Sequence, residues 1–117
     1  MLFVTNRFPT QSIRSRNGPK FNFDLNNNAP SNSVFFCVKG KGEDHKEIGS
    51  LELLKRVKEA KHRQVLLYVH RFNNLPEHIF RKTKELQKLC DDKKKNEVLV
   101  VPLIWPCDND EGIVKAY

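Results

Sequence analysis

Two short polar clusters follow apolar runs in this sequence, and they hold the side chains best suited to chemistry. His70-Arg71-Phe72-Asn73-Asn74 comes directly after Val65-Leu66-Leu67-Tyr68-Val69. Trp105-Pro106-Cys107-Asp108 comes directly after the apolar run 98–104. His70 is of a type that exchanges protons near neutral pH or orients backbone through its ring nitrogens. A histidine at a strand end next to a crevice is read first as an orienting group. Arg71 brings a permanent cation that could draw an anionic ligand, against the plainer reading of an exposed loop arginine. Cys107 could be a nucleophile only as a thiolate with a base beside it, and no histidine stands near it in the sequence. It is read as a bystander thiol. Asp108 and Asp110 could form an acidic pair, but a helix cap and a loop charge account for them. Their spacing also opens like a calcium loop, yet Gly112 is misplaced for one. Trp105 is read as core.

The elements that must hold these clusters are a strand, a helix and a second strand. Unbroken apolar runs at 65–69 and 98–104 are expected of strands buried on both faces. Between them an amphipathic helix is expected from Leu75 to about Asp91. Ile79, Phe80, Thr83, Leu86, Leu89 and Cys90 would form its buried face, Asn74 its N-cap, and Pro76 would sit in its first turn. Strand, helix and strand make a βαβ unit with parallel strands, and function in such sheets gathers at the carboxyl ends of the strands.

Earlier in the chain, Leu2 to Thr5 is a short strand. Phe21, Phe23 and Leu25 alternate with polar residues, and Val34 to Val38 is the next apolar run. A polar turn between these two predicts an antiparallel hairpin. Gly40 to Gly49 reads as a charged loop that matches no phosphate-binding pattern. Ser50 is the expected cap of a second amphipathic helix, with its stripe at Leu51, Leu53, Leu54, Val57 and Ala60.

Composition bounds the function class. With 117 residues, 38% hydrophobic and 30% charged, the chain reads as one globular α/β domain. The formal net charge of +7 permits contact with nucleic acid. Glutamates interrupt both basic helix faces and no nucleic-acid motif appears, so solvated faces are the better reading. Cys37, Cys90 and Cys107 include no C-x-x-C pair, so neither a disulfide framework nor a zinc site is expected. No metal or cofactor is expected. The first four residues are too short for a signal-peptide core and no run has membrane-spanning length, which makes the cytoplasm the default expectation.

The run Val65 to Asn74 resembles the third strand and oxyanion loop of the α/β-hydrolase family: an apolar strand, then His-Gly, an aromatic residue and small or polar residues. Val100-Val101-Pro102-Leu103-Ile104-Trp105-Pro106 resembles the fourth strand of a bacterial branch of that family whose function is unknown. The resemblance covers residues 65 to 117 and is thin before them. It implies a mixed sheet with the N-terminal hairpin at one edge, then strand 98–104, then strand 65–69, then a further strand bearing a nucleophile elbow. It also implies that His70, Arg71, Phe72 and Asn73 form the oxyanion loop, with the amide of Phe72 as donor. Trp105, Cys107 and Asp108 would line the strand-end crevice. Two departures stand out. Arg71 replaces the family's usual glycine, and no G-x-S-x-G elbow or later catalytic acid and histidine occurs in these residues. The expectation is a truncated or degenerate hydrolase-like chain without turnover of its own. A competing expectation is an interaction module. If the flanking strand is missing, Val65 to Val69 is a bare sheet edge that pairs with a second copy or a partner.

Overall fold

The computed structural model describes residues 1–10, 20–42, 44–71 and 75–106. Along the chain these form β1 (Leu2–Arg7), β2 (Lys20–Phe21), β3 (Pro30–Val38), β4 (His45–Glu47), α1 (Gly49–Glu59), β5 (Gln64–Val69), α2 (Pro76–Lys93) and β6 (Val98–Ile104). The strands make one six-stranded mixed sheet in the order β2-β4-β3-β1-β6-β5.

The two strongest apolar runs do what their composition asks. β5 and β6 lie parallel in continuous register from Gln64↔Val98 to Val69↔Leu103, with α2 connecting them. β6 is interior to the sheet, between β5 and β1. β1 runs parallel to β6 through Val4↔Leu103 and Thr5↔Ile104. It joins only from Leu103 onward, just past Pro102, whose ring nitrogen has no hydrogen to give a ladder. The opening of β6 is held instead by α2. The Gln87 amide nitrogen donates to the Val98 carbonyl at 2.8 Å, and its carbonyl oxygen accepts from the Val100 N–H at 2.8 Å. One side chain thus satisfies two backbone groups that a strand would otherwise have to meet.

On the other side of β1 the sheet turns antiparallel. β1 pairs with β3 from Leu2↔Val38 to Thr5↔Phe35, and β4 pairs with both β3 and β2. The expected hairpin between the segments at 21–25 and 34–38 is therefore not formed. β4 stands between β2 and β3, and Phe23 makes only an isolated bridge to Pro9. The segment read as a loop from Gly40 to Gly49 supplies that intervening strand. Backbone pairing carries it, and a His-Lys-Glu strand has no apolar alternation to announce it.

Phe3, Phe21, Phe35, Cys37, Ile79, Phe80 and Ile104 form the core cluster. The Phe3 ring meets Phe80 edge-on at 5.0 Å and Phe21 at 6.3 Å, joining β1 to α2 and β2. Such ring contacts add about 0.5–1.5 kcal/mol each beyond area burial. Burial raises the pKa of the Cys37 thiol, with the Glu47 charge adding to it, so Cys37 is packed, unreactive core.

Several sequence expectations are corrected. Among the described residues β5 is the last strand of the sheet, and Val65, Leu66, Leu67 and Val69 are exposed, while Tyr68 is half-buried against the core cluster, so the run is not buried on both faces. Its composition suits a covered strand, but α2 packs chiefly on β6 and α1 on β3, which leaves most of β5 exposed. α1 begins at Gly49 with Ile48 as N-cap, which places Ser50 inside the helix. Only Leu53 of its stripe is buried, while Leu51 and Leu54 are exposed. α2 starts from Leu75 in extended conformation with Pro76 first in the helix. Pro76, Ile79, Phe80 and Thr83 are its buried residues, whereas Leu89 is exposed because the C-terminal half of the helix has no layer over that face. The expected cap Asn74 lies outside the described residues.

Candidate functional site

β1, β6 and β5 are neighbours running the same way, so their carboxyl ends lie side by side. Arg7, Trp105 and His70 stand at those ends. Each is placed by its strand's alternation or by the first residue after it. On β1 the buried positions are Phe3, Thr5 and Arg7, every second residue. The register of β1 against β3 shifts between Thr5 and Arg7, an irregularity of the kind that re-aims a side chain. The Thr5 hydroxyl donates to the Ile104 carbonyl at 2.6 Å and accepts from the Arg7 N–H at 3.0 Å, stitching β1 to β6 at this end. The Arg7 side chain is fully buried, and one of its terminal nitrogens donates to the Asp24 carbonyl at 3.4 Å.

His70 and Trp105 are clamped together. Their rings stack at 5.1 Å with 20° between planes. The indole N–H of Trp105 donates to the His70 carbonyl at 3.1 Å. The backbone N–H of Trp105 donates to His70 Nε2 at 3.0 Å, and His70 Nδ1 lies 2.7 Å from the Arg71 carbonyl oxygen. These partners fix the tautomer. A backbone N–H can only donate, so Nε2 is the bare nitrogen. A carbonyl can only accept, so Nδ1 carries the proton. Burial lowers the His70 pKa, with Arg7 acting the same way and the Arg71 carbonyl pulling back. Protonation at Nε2 would also forfeit the Trp105 hydrogen bond. His70 is therefore a neutral imidazole with both nitrogens engaged. It cannot act as a general base without breaking the tie between β5 and β6.

Of the expected oxyanion-loop residues, His70 and Arg71 are described, while Phe72 and Asn73 lie outside the described residues. Arg71 is exposed and its φ is not left-handed, so this position does not require glycine's freedom. Of the expected crevice residues, Trp105 is brought against His70, and Cys107 and Asp108 lie outside the described residues. The closing turn suggested for residues 110–117 does also. Arg7 is the residue the motif reading missed. No sign of it stands in the sequence, because Leu2-Phe3-Val4-Thr5-Asn6-Arg7 shows no apolar alternation and only the burial of β1 alternates. Among the described residues, no group of three or more His, Cys, Asp or Glu side chains could hold a metal ion, and no helix is long and apolar enough to cross a membrane.

The arrangement can orient the backbone after β5 and offer a buried cation beside it. It presents no nucleophile–base pair among these residues. Searched against protein-family models, curated proteins and solved structures, the chain matches none of them.

Proposed function

We propose that this chain is the oxyanion-side portion of an α/β-hydrolase-like sheet and has no hydrolase turnover by itself. The observation that carries the reading is the clamp of His70 on Trp105 across the ends of β5 and β6. It holds the Arg71 carbonyl, and hence the start of the loop that resembles an oxyanion loop, by a histidine with no nitrogen to spare. The adjacency of β6 and β5 agrees with the order the resemblance implies, although β1, parallel to β6, stands where the expected hairpin would lie. These 117 residues contain no G-x-S-x-G segment to supply an attacking hydroxyl. The test is p-nitrophenyl butyrate offered to the whole chain. The expected result is release at the uncatalysed rate, unaffected by phenylmethylsulfonyl fluoride. Turnover that this serine-directed inhibitor abolishes would overturn the reading.

A second reading rests on a different observation, the bare edge at β5. Its run of Val65 to Val69 is apolar, exposed at every position but Tyr68, and paired on one side alone among the described residues. Such an edge recruits another strand. In this reading two copies of the chain pair through β5, forming a homo-oligomer. The +7 charge gives no comparable argument for nucleic acid, because glutamates interrupt both basic helix faces.

A further inference from the structure

A cavity of about 490 Å³ opens between the N-terminal half of α2 and the turn leading from β3 to β4. None of the strand-end residues Arg7, His70 or Trp105 lines it. Its volume falls in the range of small-molecule sites. Two kinds of wall meet in it.

The first wall is apolar, built of aromatic rings tilted to one another by 55° to 71°. Phe80 and Phe23 lie with ring centroids 6.2 Å apart, and Leu25 and Leu75 extend the surface. Leu25 is 45% exposed, an apolar side chain left at the rim. His45 lines the cavity between the rings, 5.2 Å from Phe80 and 5.8 Å from Phe23. It is almost wholly buried, and its Nδ1 has no hydrogen-bond partner among the described residues.

The second wall is cationic. Glu77, Phe80, Arg81 and Lys84 stand at i, i+3, i+4 and i+7, the spacing that gathers side chains on one helix face. Lys39 joins them from the end of β3, its ammonium 5.4 Å from the Phe80 ring centroid and 3.1 Å from the Gly40 carbonyl oxygen. Three cations thus face one carboxylate. None of Lys39, Arg81 and Lys84 is in a salt bridge among the described residues. The amino-terminal end of α2 adds its positive pole here. Pro76 and Glu77 line the cavity, and the N-cap is Leu75, which has no polar side-chain atom.

We propose that this cavity binds a small organic anion with a flat aromatic body and a phosphate head. The body lies against Phe23, Phe80 and Leu25. The head meets Arg81, Lys84 and Lys39, which outnumber the lining carboxylate of Glu77 even with Asp44 beside His45 counted.

The test is calorimetric titration of the whole chain with 1-naphthyl phosphate, with amide shifts followed in parallel. The expected result is saturable binding that moves Gly42, His45 and Arg81 and leaves Val65 to Val69 in place. Neutral 1-naphthol and inorganic phosphate should each bind at least tenfold more weakly. Arg81→Gln with Lys84→Gln, both exposed helix positions that tolerate glutamine, should weaken binding at least tenfold. Lys55→Gln with Lys82→Gln removes the same charge elsewhere and should change it less than twofold. Equal affinity for 1-naphthol, equal losses in both charge pairs, or no binding at millimolar 1-naphthyl phosphate would each overturn the proposal.

Discussion

His70 carries the chemistry that is visible, and its chemistry is to be held. Its Nε2 receives the Trp105 amide proton and its Nδ1 proton goes to the Arg71 carbonyl, so the ring is used up by positioning. The expected outcome in ¹⁵N-detected NMR of the native chain is a neutral imidazole protonated at Nδ1 at pH 7. A ring protonated at Nε2, or exchanging freely between tautomers, would contradict the clamp. Much of this was legible in the sequence. A histidine directly after an apolar strand, and a tryptophan directly after the next, mark two strand ends that a parallel pair brings together. What was not legible was the contact itself, because the two residues are 35 apart and only register makes them neighbours. Arg7 was harder. A polar residue at the end of a strand is ordinarily taken as the beginning of a loop, and here it is the last buried position on β1.

At the level of elements, β5, α2 and β6 follow from apolar runs flanking an amphipathic helix. β4 does not follow, because a three-residue strand of His45, Lys46 and Glu47 has no apolar period. Its absence from the sequence reading is why β2 and β3 were expected to pair directly. The two faces of β5 mark a different limit. A run of branched and aliphatic residues reports that a strand suits cover, and says nothing of which element supplies it. That mismatch makes β5 testable. If copies of the chain pair there, light scattering at rising concentration should show a monomer–dimer equilibrium. Leu67→Lys should shift it toward monomer by at least tenfold in Kd, because a charge on an edge strand opposes further pairing. Leu67 is 59% exposed, so the substitution should leave the free energy of unfolding within about 0.5 kcal/mol of the parent. A monomer at every concentration would rule out pairing through this edge.

For the molecule as a whole, the sheet has one closed flank and one open. The antiparallel strands and α2 enclose the aromatic core around Phe3 and Phe80, whereas β5 ends the sheet with apolar side chains in solvent. Thr5, His70 and Trp105 tie β1, β6 and β5 together at their carboxyl ends. Within that tie His70, with His45 in the cavity, shapes the pH response of folding. Burial holds the pKa of His70, and that of His45, below the ordinary value of 6.5. The unfolded chain therefore takes up protons first as pH falls through that value, and stability rises with pH in this window. A neutral His70 contributes fully above pH 6.5, and its contribution is lost progressively as acidification approaches the lowered folded pKa.

The most direct measurement is urea unfolding of the intact chain between pH 7.5 and 5, beside His70→Gln. The account predicts that the parent loses stability on acidification and that the variant loses less. The difference between their slopes should reach at most about 1.4 kcal/mol per pH unit, the limit for one proton. Parallel curves, or a parent that gains stability as the pH falls, would contradict a neutral, doubly engaged His70 at the strand ends.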